Sequence, residues 1–387
     1  MFDIAHTMDP VAAALPPVPV ASVRCRVFRS PTSDGVAMSF APLTHRVMVV
    51  VLVELADGRT GRGESWANYP SWAWCERVAT VREGLAPLLR GRVLTTPVEV
   101  HDELVAVLGP LGRQWGAPGP VQQAVSAIDT ALWDLAATAA DLPLAGLLTQ
   151  EPASALPAYG SSLGPTGVED TARACHDRGL RAVKVKVGFG LDRDHENLQV
   201  ARGVLGPDVT LFADANQAWT LDEALAAVPV LHEAGVAWLE EPLAGDDAQA
   251  LARLRREGGI ALATGENRYG ARAFDELVAH DAVDILQPDL SKVGGPTDYL
   301  RIAATAAGRD VVVNPHLYGG ALATLATLQV AAAVPATTLV EWDVRDNPLR
   351  APVDHLLGPD GAITVPHGTG LGLDLDLAPL AHLEETP

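Results

Sequence analysis

The first strong pattern in the chain is Val47-Met48-Val49-Val50-Val51-Leu52-Val53, an unbroken, largely β-branched apolar run followed by Asp57-Gly58, a hairpin turn. Strands are therefore expected between Val23 and Glu64. A loop interrupts them between Val27 and His45, because Arg29-Ser30-Pro31-Thr32-Ser33-Asp34-Gly35 has turn chemistry throughout. Helical spacing then takes over in residues 76–92, 97–108 and 120–140, most clearly in the last, where Ala124, Ile128, Ala131, Leu132 and Leu135 share one face. The first 150 residues read as an α+β domain.

After about residue 155 short β-rich runs alternate with helical stretches: 182–187, 209–213, 238–239, 261–264, 285–287, 311–313 and 339–340. That alternation implies parallel strands joined by crossover helices. The polar residues closing the runs are Lys186, Asp214, Glu240, Glu266, Asp289, His316 and Glu341, at intervals of 28, 26, 26, 23, 27 and 25 residues. One more interval back lies Tyr159-Gly160-Ser161. Eight such units predict a (β/α)₈ TIM barrel, whose catalytic residues sit at the C-terminal ends of the strands. An open, doubly wound sheet is the alternative. The expected organisation is a tail over residues 1–21, an α+β capping domain over 22–150, a barrel over 151–350, and a C-terminal segment over 351–387 that packs back on the cap.

Composition narrows the function classes. The 387 residues are 48% hydrophobic and 20% charged, which is globular. The 47–53 run is too short to span a bilayer. Acidic residues exceed basic ones to a net charge of −20, which argues against nucleic acid and anionic membranes. Cys25, Cys75 and Cys175 form neither a disulfide framework nor a metal-ligand spacing. No secretory signal is legible, since Asp3, Asp9, Pro16, Pro17 and Pro19 break the N-terminal stretch. A cytoplasmic enzyme acting on a small molecule is expected.

Asp214, Glu240 and Glu266 would end three consecutive strands and meet at the barrel mouth. Three carboxylates brought together repel unless a cation neutralises them, and an all-oxygen set suits Mg²⁺ first and Mn²⁺ next. Spacing alone does not choose between Glu240 and Glu241, since neighbours on a strand face opposite ways. Lys184 and Lys186, two apart on one strand, both point inward, and two adjacent ammonium groups are expected to lower each other's pKa. Asp289 and His316 would be neighbours, the carboxylate orienting the imidazole. In an eight-fold barrel Lys186 and His316 stand about 135° apart, placing two proton-transfer groups on opposite sides of a bound substrate.

At these residues the chain resembles the enolase superfamily, specifically its mandelate racemase group, over roughly residues 22 to 375. The resemblance is carried in order by Ala127-Ile128-Asp129-Thr130-Ala131-Leu132-Trp133-Asp134, Lys184-Val185-Lys186, Asp214-Ala215-Asn216-Gln217, Trp238-Leu239-Glu240-Glu241-Pro242, Gly265-Glu266-Asn267, Gln287-Pro288-Asp289 and Lys292-Val293-Gly294-Gly295. It implies Mg²⁺ on Asp214, Glu240 and Glu266, with Lys186 and the His316–Asp289 dyad as acid/base catalysts. It also implies Lys184 beside the substrate carboxylate and Glu341 hydrogen-bonding the developing enolate. The muconate-cycloisomerising group has a catalytic lysine where this chain has Asp289, which sets the chain apart from that group.

Such a site removes the proton α to a carboxylate, and Mg²⁺ stabilises the enediolate. Loss of a β-hydroxyl then gives a 2-keto-3-deoxy acid. Reprotonation on the other face gives racemisation or epimerisation. Members resembling this pattern are most often acid-sugar dehydratases, which ranks dehydration first and a mandelate-like racemase second, with a non-catalytic metal-binding barrel a remote third. A metal-dependent hydrolase would carry more strand-end histidines. Two cap segments are candidates for holding the rest of the substrate. The first offers Arg29, Ser30, Thr32, Ser33 and Asp34 for hydroxyls beside Met38 and Phe40; the second offers Trp66, Asn68, Tyr69 and Trp72. The Trp cluster would equally serve to anchor the cap. Asn216 is a further candidate contact, and Arg268 could pair with a second carboxylate or merely with an Asp or Glu nearby. A homo-oligomer, with an interface around the cap, is expected.

Overall fold

In the computed structural model, which describes residues 13–32, 35–245 and 247–386, the apolar run at 47–53 forms the centre of β2 (His45–Leu55). It pairs antiparallel with β1 (Val20–Pro31) on one edge and β3 (Thr60–Trp66) on the other. This sheet lies on the helix Pro118–Ala139. A Cβ on Gly61 or Gly63 would fall 2.0 Å from the carbonyl oxygen of Ala131 or Ala127, so glycine is what lets β3 approach so closely. The expected loop starts later than its turn residues suggest. β1 runs through Arg29, Ser30 and Pro31, because each has a partner on β2. The N-terminal tail is also partly docked: Leu15 is buried and its N–H donates to Thr95 O at 2.8 Å.

The second domain is a curled sheet of eight parallel strands wrapped by helices. Its members are β4 (Ala155–Leu163), β5 (Ala182–Lys186), β6 (Thr210–Asp214), β7 (Val236–Glu240), β8 (Ala261–Thr264), β9 (Ile285–Leu286), β10 (Val312–Val313) and β11 (Val340–Asp343). β4 to β10 neighbour one another in chain order, and β11 pairs with β4. Among the described residues no strand ladder joins β10 to β11. The Asn314 side chain bridges there instead, its Oδ1 accepting from the Thr338 and Leu339 N–H groups at 3.0 Å each. The C-terminal segment lays β12 (Ala362–Thr364) against β4 and β13 (Glu384–Glu385) against β1, so it touches both domains. No helix among the described residues is long and apolar enough to cross a membrane.

Strand alternation sorts the barrel side chains. Val183, Val185, Leu211, Ala213 and Leu239 face the helices in the main core. Tyr159, Ala182, Phe212, Trp238, Ala263 and Ile285 fill the interior instead. Phe212 stacks on Trp238 with centroids 3.4 Å apart, and Tyr159 meets both edge-on at 5.6 Å. These rings form a floor. The next inward residues toward the C-terminal ends are Lys184, Lys186, Asp214 and Glu240, so the polar layer rests on an aromatic plug that keeps water from below.

Candidate active site

Lys186, Asp214 and Glu240 close β5, β6 and β7, in register with one another across the ladders. Because Trp238 points inward, Glu240 two residues later does too. It receives Lys184 Nζ and, at 2.6 Å, Gln287 Nε2. Glu241 turns off the strand with φ +39° and is held by Gln217 and by Asn267 at 2.9 Å. Glu266 lies two residues past β8, and its Oε2 is 2.7 Å from His316 Nε2. His316 Nδ1 is 2.7 Å from Asp289 Oδ2, while Asp289 Oδ1 accepts from Ser291 N at 2.8 Å and Ser291 Oγ at 2.6 Å. Glu341 accepts from Leu317 N at 3.0 Å and lies 3.1 Å from Lys184 Nζ. Lys186 donates to Asp214 at 2.6 Å and Asn216 at 2.8 Å. The structure thus gathers Lys184, Lys186, Asp214, Asn216, Glu240, Glu266, Asp289, His316 and Glu341 at one mouth.

Lys184 does oppose the Lys186 charge, as expected, but neither lysine's pKa falls, because the surrounding carboxylates outweigh that repulsion. Burial disfavours the Lys184 ammonium, but Glu240 and then Glu341 outweigh it and hold its pKa well above the usual lysine range. Lys186 is likewise raised: burial and Lys184 oppose its charge, and Asp214 more than compensates. His316, against the cost of burial, is held up to about 10 by Glu266 and Glu341. Burial pushes Glu240 up to about 8, helped by repulsion from Asp214 and Glu341 and opposed by Lys184. Burial and repulsion from Glu266 carry Glu241 well above the carboxylate range.

These charges bear on whether the site suits a divalent cation. Among the described residues, six buried carboxyl groups (Asp214, Glu240, Glu241, Glu266, Asp289, Glu341) face Lys184, Lys186, Lys292 and His316. Fully ionised, that set carries a formal excess of two negative charges, and the raised values of Glu240 and Glu241 express it. An all-oxygen donor set with two charges to neutralise fits Mg²⁺. As the side chains stand, no three metal-binding groups among the described residues converge on one point. Lys184 and His316 sit between the carboxylates, so their contacts with Glu240 and Glu266 would have to part.

A cavity of about 520 Å³ opens above this layer. Its lining includes Asn216, Trp66 and Tyr69, as expected, together with Met38, Phe40 and Trp72. Trp74, by contrast, packs against the cap core beside Val27 and Val47. Two predicted contacts are corrected. Arg29 lies on β1 and pairs with Glu385 at 2.9 Å, away from the cavity. Arg268 does not line the cavity; it donates to Ala273 O at 2.6 Å and lies 3.8 Å from the nearby Glu276 carboxylate. Ser30 is buried at the end of β1, Thr32 hydrogen-bonds Leu43 O, and Ser33 and Asp34 lie outside the described residues. Asn68 is a clamp rather than a cavity wall, with its Oδ1 accepting from Val47 N and its Nδ2 donating to Tyr318 O, both at 2.9 Å.

Several cavity residues were not anticipated from spacing. Lys292 is buried, with its ammonium 4.3 Å over the Trp66 ring and 3.8 Å from Glu266. Tyr318, Asn267, Tyr269 and the buried Arg77 also line the cavity. The signal for Lys292 in the sequence is its place in Lys292-Val293-Gly294-Gly295, one of the segments that carry the resemblance, rather than strand-end spacing. Arg77 sits in a helix whose contact with the cavity depends on cap docking, which no local pattern encodes.

Family models match both parts of the chain. "Mandelate racemase / muconate lactonizing enzyme, N-terminal domain" covers residues 22–149, and "Enolase C-terminal domain-like" covers 167–378. The chain is 30% identical over 348 residues to D-galactarolactone cycloisomerase of Agrobacterium fabrum, covering 86% of this chain and 89% of that protein. It is 30% identical over 346 residues to arabinonate dehydratase of Saccharolobus solfataricus, covering 87% and 91%. A Bradyrhizobium enolase solved with magnesium and mandelic acid superposes with a TM-score of 0.84 at 30% identity, over 96% of this chain and 99% of that one.

Proposed function

From the premise that this chain belongs to the mandelate racemase/muconate lactonizing enzyme family of the enolase superfamily, we propose that it abstracts the proton α to a carboxylate and dehydrates a sugar acid to a 2-keto-3-deoxy acid. Asp214, Glu240 and Glu266 would hold Mg²⁺, or Mn²⁺ in its place, which when bound supplies Lewis-acid charge that makes the α proton acidic. Lys186 and His316 lie on either side of the strand ends bearing those carboxylates, and so can serve opposite faces of a substrate carbon. Lys186 accepts a proton only when Asp214 turns away from it, because that contact keeps it an ammonium. Asp289 fixes His316 through Nδ1 and leaves Nε2 to deliver the proton a departing hydroxide needs. Lys184 and Glu341, 3.1 Å apart, would take the substrate carboxylate and its developing charge.

One observation favours a polyhydroxylated substrate. The indole Nε1 of Trp66 and the hydroxyl of Tyr69, both on residues lining the cavity, are buried without a hydrogen-bond partner among the described residues. A bare aryl group would leave both unpaired, at about 1–3 kcal/mol each, whereas a sugar acid offers oxygens to satisfy them. Racemisation of an aryl hydroxy acid is the second reading, favoured by the apolar walls of Met38, Phe40 and Trp72. A sugar-acid panel assayed for keto acid with semicarbazide, beside polarimetry on both mandelate enantiomers, tests the two. Keto acid from a sugar acid is expected. Loss of optical rotation without keto acid would reverse the ranking.

A further inference from the structure

The capping domain does more than cover the cavity: three of its polar side chains reach into the segment that carries His316. Glu64, buried on β3, accepts from the Gly320 N–H at 2.6 Å and the Ala323 N–H at 2.8 Å, at the start of the helix Ala321–Ala333. Asn68 donates to Tyr318 O at 2.9 Å. Arg46 on β2 stacks its guanidinium 4.6 Å from the Tyr318 ring and pairs with Asp343 at 2.6 Å. The segment is shaped for the Glu64 contact. A Cβ on Gly320 would lie 2.5 Å from Met48 Sδ and 3.1 Å from Glu64 Oε2, so the carboxylate reaches these N–H groups only because that position is glycine.

The opposite proton-transfer group is held differently. Lys186 is bonded to Asp214 and Asn216, both in the barrel. Among the described residues, the cap's hydrogen bond toward that side is from Ser39 Oγ to the Asn216 carbonyl at 2.9 Å. The two proton-transfer groups therefore depend unequally on the cap.

We infer that Glu64, seconded by Asn68, is a positioning residue for His316. It fixes the 316–323 segment from the capping domain so that the imidazole keeps its place against Asp289, while Lys186 is held directly by the barrel side chains of Asp214 and Asn216, with Ser39 of the cap touching only the Asn216 carbonyl. Cap docking then sets the competence of one face of the reaction and not the other. The inference rests on the proposed role of His316 in proton transfer and adds to it which side chains make that role possible.

The test compares Glu64→Leu, Glu64→Gln and Asn68→Ala with the unaltered protein, each loaded with Mg²⁺ and checked for an unchanged circular dichroism spectrum. Cα–H exchange into D₂O is measured from each configuration of a 2-hydroxy acid. Exchange from the His316-facing configuration should fall at least tenfold in Glu64→Leu and less in Glu64→Gln, which keeps one acceptor oxygen. Exchange from the Lys186-facing configuration should stay within twofold. Equal losses on both faces would mean that Glu64 acts on stability alone, and no loss on either face would equally overturn the inference. A second readout needs no turnover. The imidazole ¹⁵N resonances of His316 should shift in Glu64→Leu, and unchanged resonances refute the positioning role. If the unaltered protein exchanges neither proton, the proposed chemistry fails, while the resonances still decide the role of Glu64.

Discussion

Lys186 and Asp214 are register partners across the β5–β6 ladder, and the Lys186 ammonium lies 2.6 Å from the Asp214 carboxylate. A lysine and a cation would compete for that oxygen. Replacing Lys186 by Met removes a positive charge beside the carboxylates, so Mg²⁺ should bind more tightly, by roughly tenfold, while turnover is lost. Isothermal titration with MgCl₂ measures this. Weaker binding in Lys186→Met would show that the lysine organises the carboxylates rather than competing for them.

Glu266 links two parts of the site, being 2.7 Å from His316 Nε2 and 3.8 Å from Lys292. Glu266→Gln should cost at least about 100-fold in Mg²⁺ affinity and turnover together. The same change removes the strongest of the charges that hold His316 up to about 10, so its titration should fall toward neutral pH. Full activity after exhaustive EDTA treatment would refute the metal assignment.

The placement of Lys186 and His316 on opposite sides of the strand ends predicts complementary losses. With a stereodefined 2-hydroxy acid, Lys186→Ala should stop Cα–H exchange from one configuration and His316→Asn from the other. Loss from the same configuration in both variants, with the other untouched, is the outcome that excludes a two-face site.

Tyr69→Phe removes a buried hydroxyl that has no partner among the described residues and leaves its ring in contact with Phe40, 5.4 Å between centroids. If that hydroxyl meets the substrate, the variant should raise KM for a sugar acid about tenfold, near 1.4 kcal/mol, at unchanged thermal stability. A KM within twofold of the unaltered protein would exclude the contact.

Glu64 also predicts a pH effect on stability. Burial pushes its carboxyl from 4.5 up to about 7, against the backbone N–H groups of Gly320, Ala323 and Leu322 that favour its charge. Between these values the folded state holds a proton that the unfolded chain has lost. The contribution, about 3 kcal/mol, is complete below pH 4.5 and disappears as the pH rises through 7. Glu64→Gln should therefore flatten the dependence of Tm on pH between 5 and 7.5 relative to the unaltered protein. Parallel curves for the two would mean that Glu64 is ionised throughout.

Much of the architecture was legible in the sequence because it depends on local periodicity. The alternation of inward and outward residues on β5 to β7 follows from a period of two, so Lys184, Lys186, Asp214 and Glu240 could be assigned to one interior before any contact was known. The spacing of about 25 residues reflects one strand plus one helix, and it located Glu266, Asp289, His316 and Glu341 as well. What the sequence could not supply were quantities that depend on the joint placement of distant groups. The lysine pKa values rise rather than fall because carboxylates on β6, β7 and β11 and just past β8 surround them, a sum of charges from separate strands. Arg29 and Arg268 carried the right chemistry, but β1 pairing and the turn after Glu266 direct them elsewhere. Arg77, on a cap helix, reaches the cavity through the docking of cap on barrel. Periodicity is a property of a few consecutive residues and survives without a fold, whereas field, burial and cavity shape exist only once the chain has closed on itself.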